Sequence, residues 1–220
     1  MRTRITVLVG ASLLASCGPK TLTLPKDVVD RAATCGVVEA ANARQAINSA
    51  RGGLPFDEQG RILHYAMLAA SQDGSFSQET VAAVVKRMPE MEGDITKGDF
   101  TTLVEPCKQA YPATAKAEPD PLPSDPFDNR LGCYELGSFL NRSLQSQSAE
   151  YPDRLAEYGS LRRRLDGAVS LAFKRRGATT KEAQDKLRSS ALAKMVPLGS
   201  PMAVMQECFA KYPDSDAKKA

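Results

Sequence analysis

Two short segments of the chain follow one pattern, Cys107-Lys-Gln-Ala-Tyr111-Pro112 and Cys208-Phe-Ala-Lys-Tyr212-Pro213. An earlier cysteine precedes each segment at a similar distance, Cys35 at 72 residues and Cys133 at 75 residues. Recurrence of the cysteine spacing together with the tyrosine-proline ending predicts a tandem duplication of one unit. Chance recurrence of so short a motif is the alternative.

A proline-rich stretch separates the two predicted copies. Five prolines fall between positions 112 and 126, among Ala, Asp and Ser residues. Such a composition cannot build a core and is typical of an extended linker. We therefore expect a helical unit at 26–112, a linker at 113–126, a second helical unit at 127–213 and a polar tail at 214–220.

Each copy contains four segments with helical signals. Apolar residues recur at i, i+4, i+7 and i+8 from Leu161, which is typical of one apolar helix face. Gly74 and Gly177 are stop signals for the second helix of each copy, and capping residues follow both glycines. We predict helices at 26–50, 57–71, 78–87 and 97–109, then at 129–147, 153–176, 181–194 and 201–211. The fold is therefore predicted to be all-α, with two small four-helix units.

The beginning of the chain has the features of an export signal. Arg2 and Arg4 precede a short apolar run, and the run ends in Leu14-Ala15-Ser16-Cys17. This ending resembles the lipobox of bacterial lipoproteins. The resemblance implies cleavage of residues 1–16, lipidation of Cys17 and a short tether at 17–25. It also implies an exported protein anchored to a membrane. In a cell with two membranes, the outer membrane, facing the periplasm, is favoured because Gly18 rather than Asp follows the cysteine. An ordinary secretory signal is the alternative.

The four remaining cysteines are expected to form disulfides, as an even number does in exported proteins. The spacing pairs Cys35 with Cys107 and Cys133 with Cys208, so that each bridge joins the first and last helix of one copy. A zinc site would need closely spaced cysteine pairs, and the sequence has none.

Composition excludes one class of partner. The formal charge of the whole chain is +3, and two of these charges leave with the signal segment. Such a balance is not that of a nucleic-acid-binding protein. We therefore expect no nucleic-acid partner.

Catalytic patterns are sparse. The single histidine, His64, is either a general base or pH sensor, or a packed side chain of the second helix. Ser215-Asp-Ala-Lys218 fits Ser-x-x-Lys but lies in the polar tail. Acidic residues between the third and fourth helices lack the spacing of a calcium loop and are expected in solvated coil: Glu90, Glu92, Asp94 and Asp99. The sequence therefore predicts no enzyme, metal or cofactor.

Two features are candidate contact sites. Basic residues cluster in the second helix of the second copy: Arg162, Arg163, Arg164, Lys174, Arg175 and Arg176. They could attract anionic lipid or an acidic protein, or they could simply form a solvated face. Tyr111 and Tyr212 either contact a ligand or pack beside the bridges.

The expected function is that of a lipid-anchored cell-envelope protein that acts, without catalysis, as a structural or protein-interaction module. This hypothesis predicts no deep pocket and an exposed apolar or charged patch. One alternative is a small-ligand carrier or sensor with a cavity in a bundle core. The other is an inhibitor or immunity-like protein that inserts a loop at 89–98 into an exported enzyme.

Overall fold

The computed structural model describes residues 22–48, 53–145 and 151–214. These residues form eight α-helices with short 3-10 segments, and the described part of the chain contains no β-strand. The prediction of an all-α fold is confirmed.

The first half of the chain contains α1 (Val28–Ala46), α2 (Phe56–Ala69), α3 (Gln78–Lys97) and α4 (Val104–Ala110). In α1 and α3, the numbers of the residues that contact each other increase in the same direction: Asp30 contacts Arg87, and Thr34, one turn later, contacts Met91. The two helices therefore run in the same direction, and α2 returns between them. A 3-10 segment, Phe100–Leu103, leads into α4.

The second half contains α5 (Pro126–Ser143), α6 (Pro152–Arg175), α7 (Lys181–Met195) and α8 (Pro201–Lys211). Here the first and third helices meet in the opposite sense, because Asp128 pairs with Lys194 and Glu135 pairs with Arg188. The element order thus repeats between the halves, but the direction of the third helix does not. Tandem duplication stays a prediction.

Both disulfides join the helices that the spacing indicated. Cys35 of α1 bonds to Cys107 of α4, with Cα atoms 5.4 Å apart, and Cys133 of α5 bonds to Cys208 of α8, with Cα atoms 5.6 Å apart. All four cysteines are buried. The predicted pairing is confirmed.

Local capping signals explain where several helices begin and end. The Asp27 side chain accepts hydrogen bonds from the amides of Val29 and Asp30 at the start of α1, and Asp125 caps α5 in the same way. After α2 and α6, Gly74 and Gly177 have φ angles of 73° and 69°, a region that favours glycine.

The third helix is longer than predicted. We expected it to end at 87 and placed the acidic residues in coil, but α3 continues through Pro89 to Lys97. Pro89 has no N–H to donate, and the helix beyond it is held by burial of Ile95 and by the Arg44–Glu92 ion pair. The expected loop at 89–98 is therefore a helix as far as residue 97, and the expected helix at 97–109 begins as a 3-10 segment.

The two halves share one core. The ring of Phe56 in α2 lies 5.1 Å from that of Tyr151, and the ring of Phe76 lies 5.0 Å from that of Phe139 in α5. The Ser189 hydroxyl of α7 accepts a hydrogen bond from the Phe76 amide and donates one to the Phe76 carbonyl. The largest cluster of buried apolar residues accordingly contains side chains from both halves.

The proline-rich segment packs against the second half rather than standing free. The Asp120 amide donates to the Leu198 carbonyl at 2.8 Å, and the Lys116 ammonium donates to the Pro197 carbonyl at 2.8 Å. Ala113 is buried. The segment is therefore a third contact between the halves as well as their connection.

Candidate functional site

An open groove crosses the first half between α2 and α3, and the end of α5 closes one side of it. It consists of two adjoining depressions of about 760 and 320 Å³, which have five lining residues in common: Arg44, Gln59, Ile62, Met88 and Pro89. The larger depression is lined mainly by apolar side chains, including Leu63, Val81, Val85, Phe139 and Leu144. We call this feature the apolar groove.

Two local features of the sequence shape the groove. Gly36 of α1 lets Met88 pack closely, because a methyl group at Gly36 would come within 2.7 Å of the Met88 Cε atom. Because Pro89 lacks an N–H, the Val85 carbonyl has no i→i+4 partner within α3. Val85 itself is 48% exposed, although it is a large apolar residue. The groove therefore presents apolar surface to solvent between the helices.

Two arginines and one glutamate lie at the rim of the groove. Arg44 forms an ion pair with Glu92 at 2.8 Å, which leaves about a third of the arginine side chain exposed. Arg142, near the end of α5, lines the same groove and is exposed. A bound segment with acidic residues beside its apolar ones would meet both guanidinium groups.

Two of the basic residues in and just after α6 have partners within the protein. Arg164 pairs with Asp214 at 2.8 Å and donates to the Tyr212 carbonyl at 3.0 Å, so it holds the segment that directly follows α8. Arg176 lies 4.0 Å above the ring of Phe127 and 3.3 Å from Asp125. The Arg176 side chain is nevertheless 45% exposed, and the other four side chains are exposed as well: Arg162, Arg163, Lys174 and Arg175. The exposed residue Leu171 lies among these four.

A partly buried ion pair in the second half could not be found from sequence patterns. Arg188 of α7 pairs with Glu135 of α5, and its guanidinium also lies 4.9 Å from the Phe173 ring centre and 5.4 Å from that of Tyr134. Burial raises the pKa of Glu135, and the positive charge of Arg188 opposes that rise. Through these contacts Arg188 links α7 to both α5 and α6.

His64 is fully buried and joins the two halves. Its Nε2 atom donates to the carbonyl of Val196 at 2.8 Å, across the junction between α2 and the turn before α8. Burial is the main reason that the pKa of His64 falls to about 4; the nearby charge of Lys116 adds to the effect and the hydrogen bond opposes it. The imidazole ring is therefore neutral at pH 7 and is shielded from solvent.

The two tyrosines of the repeated motif are packing residues. The ring of Tyr111 lies 5.5 Å from that of Tyr65, with the Arg31 guanidinium 5.9 Å from its centre. The Tyr212 hydroxyl donates to Asn129 at 2.8 Å. Both tyrosines end their helices four residues after a disulfide cysteine, and Tyr212 also lines an open depression, so that its role as a ligand contact stays a prediction.

The described residues hold neither a metal cluster nor a membrane span. Within ranges 22–48, 53–145 and 151–214, no three His, Cys, Asp or Glu side chains are arranged to hold a metal ion. No helix in those ranges is both long and apolar enough to cross a bilayer. Cys17, Ser215 and Lys218 lie outside the described residues.

Comparison of the chain with protein-family models, curated proteins and solved structures finds no match.

Proposed function

We propose that this protein is a lipid-anchored component of a bacterial cell envelope and that it works without catalysis, as a docking module for another envelope protein. The anchor is the lipidated Cys17, and the lipobox-like sequence supports it. The two buried disulfides support an oxidising compartment outside the cytoplasm.

The apolar groove carries the proposal for docking. Apolar side chains from α1, α2, α3 and α5 line it, and one of them, Val85, is about half exposed. Exposed apolar surface of this kind marks binding sites in soluble domains. Methionine at the groove, here Met88, adapts to partner side chains.

We propose one occupant, an amphipathic helix of the partner protein that has acidic residues beside its apolar face. A trough between two helices accepts a third helix through apolar anchors at i, i+3 and i+4. Arg142 provides the complementary charge at the rim, because Glu92 already balances the charge of Arg44. This occupant explains both the apolar floor and the exposed Arg142 at the edge.

The test is cross-linking in intact cells with a photoreactive amino acid at Ala82, an exposed residue of the groove. The expected result is an adduct with one envelope protein, lost with Val85→Glu and kept with Leu171→Glu. The control is matched, because Val85 and Leu171 are both 48% exposed and both lie on helices. An adduct with a small molecule would support the carrier alternative instead. Absence of an adduct, or equal loss with both glutamates, would refute docking at the groove.

A further inference from the structure

The chain reaches the body of the protein through a packed segment. Residues 22–25 precede α1 and lie against its side: Leu22 and Leu24 pack on a small cluster of Val37, Val38, Ile95 and Leu103. The contact with Gly98 is close, since a methyl group there would come within 3.0 Å of the Leu22 Cδ1 atom. We call residues 22–25 the strap. The expected tether at 17–25 is therefore held by the body from residue 22 onward.

The strap leads the chain away from the beginning of α1. Leu22 contacts residues near the end of α3, although it is only six positions before Val28. Since α1 and α3 run in the same direction, the chain leaves the body near the end of the bundle where both helices finish. We call this the anchor end. Ile47, which follows α1, lies at the anchor end and is 41% exposed.

The distance from Cys17 to the strap is short. Five residue steps separate Cys17 from Leu22, and a fully extended chain spans at most about 3.6 Å per residue, so the two Cα atoms are no more than about 18 Å apart. The turn at Gly74 lies at the other end of α3. Because α3 has 20 residues at 1.5 Å per residue, that turn is about 30 Å from the anchor end.

We infer that the strap orients the protein on its membrane, with the anchor end facing the bilayer surface and the Gly74 turn facing away. This inference rests on the proposed lipid anchor at Cys17. The binding partner of the anchor end is the bilayer itself, within reach of the acyl chains. Such an orientation leaves the side of the bundle, where the apolar groove lies, open to a protein in the adjoining compartment.

The chain has no tryptophan, so a single introduced tryptophan is a specific reporter. The full lipidated protein is reconstituted in vesicles that contain a dansyl-labelled headgroup lipid, and energy transfer from tryptophan is measured. Thr96→Trp reports the anchor end and Gln72→Trp reports the opposite end; both positions are exposed and neutral. We expect several-fold more transfer from Thr96→Trp than from Gln72→Trp.

A second variant tests the strap. Leu22→Ser combined with Leu24→Ser releases the chain as far as Val28, which raises the reach from Cys17 to about 40 Å for 11 residues. The protein should stay on the vesicles while transfer from the two reporters becomes nearly equal.

Flotation of the vesicles separates the two hypotheses. If the protein with Cys17 floats with the vesicles and a Cys17→Ser variant does not, the anchor stands. If the two tryptophan reporters then show equal energy transfer, the orientation is wrong. If Leu171→Trp transfers more than Thr96→Trp, the exposed basic face of α6 lies on the membrane and the orientation is also wrong. If the protein does not float, the anchor fails and the orientation fails with it.

Discussion

Lowering the pH from 7 to 5 tests the burial of His64 across the junction of the two halves. A histidine in the unfolded chain titrates near pH 6.5, and in the folded protein the pKa of His64 is about 4. The unfolded state therefore binds more protons than the folded state below pH 6.5. Stability that is present above pH 6.5 is lost as the pH falls, and the loss is nearly complete once the pH is below 4.

The two pKa values set the size of the effect. A difference of one pKa unit corresponds to about 1.4 kcal/mol. The free energy of unfolding that is lost through His64 between high and low pH is therefore about 3 kcal/mol in total. Between pH 7 and pH 5 the expected loss is about 2 kcal/mol, because the folded protein is still mostly neutral at His64 at pH 5. A small protein has a total free energy of unfolding of only about 5–15 kcal/mol.

The assay is urea unfolding of the mature chain with Cys17→Ser, at pH 7 and pH 5, compared with the same chain carrying His64→Gln. Glutamine retains a donor for the Val196 carbonyl and does not titrate. We expect the loss of stability in the histidine protein to exceed the loss in the glutamine variant by about 2 kcal/mol. Carboxylates such as Glu135 are present in both proteins, so their effect on the pH dependence cancels when the two losses are subtracted. Equal pH dependence in the two proteins would refute the argument from burial.

Two further predictions follow from the bridges and the shared core. Cys35→Ser together with Cys107→Ser should lower the free energy of unfolding by about 4 kcal/mol, as expected for a closed loop of 72 residues, and thermal unfolding beside the intact protein measures it; an unchanged melting temperature would contradict this. Cleavage at a protease site placed near Pro119 should leave the two halves together in gel filtration, because Phe56 and Phe76 pack on the second half. Elution as two separate folded pieces would show that each half folds without the core that they share.

Features that follow from local signals or from a repeated spacing could be predicted from the sequence. The cysteine spacing was enough to pair Cys35 with Cys107 and Cys133 with Cys208, and glycine and Ser/Thr signals located the turn between α2 and α3. The prediction failed where local and long-range effects compete. Pro89 argues locally for the end of a helix, but burial of Ile95 against α1 and the strap keeps α3 helical.

The sequence by itself determined the helical class, the two covalent bridges and the lipobox-like start. The helical class follows from periodicity and capping, which act over a few residues. The bridges follow from the repeated spacing of the cysteines. Only the tertiary structure decided that the halves share a core, that Arg164 is partly buried while Arg162 and Arg163 are exposed, and that α2, α3 and α5 line a groove. The physical reason is that packing between distant segments depends on the shapes of both surfaces, and neither surface exists before the chain is folded.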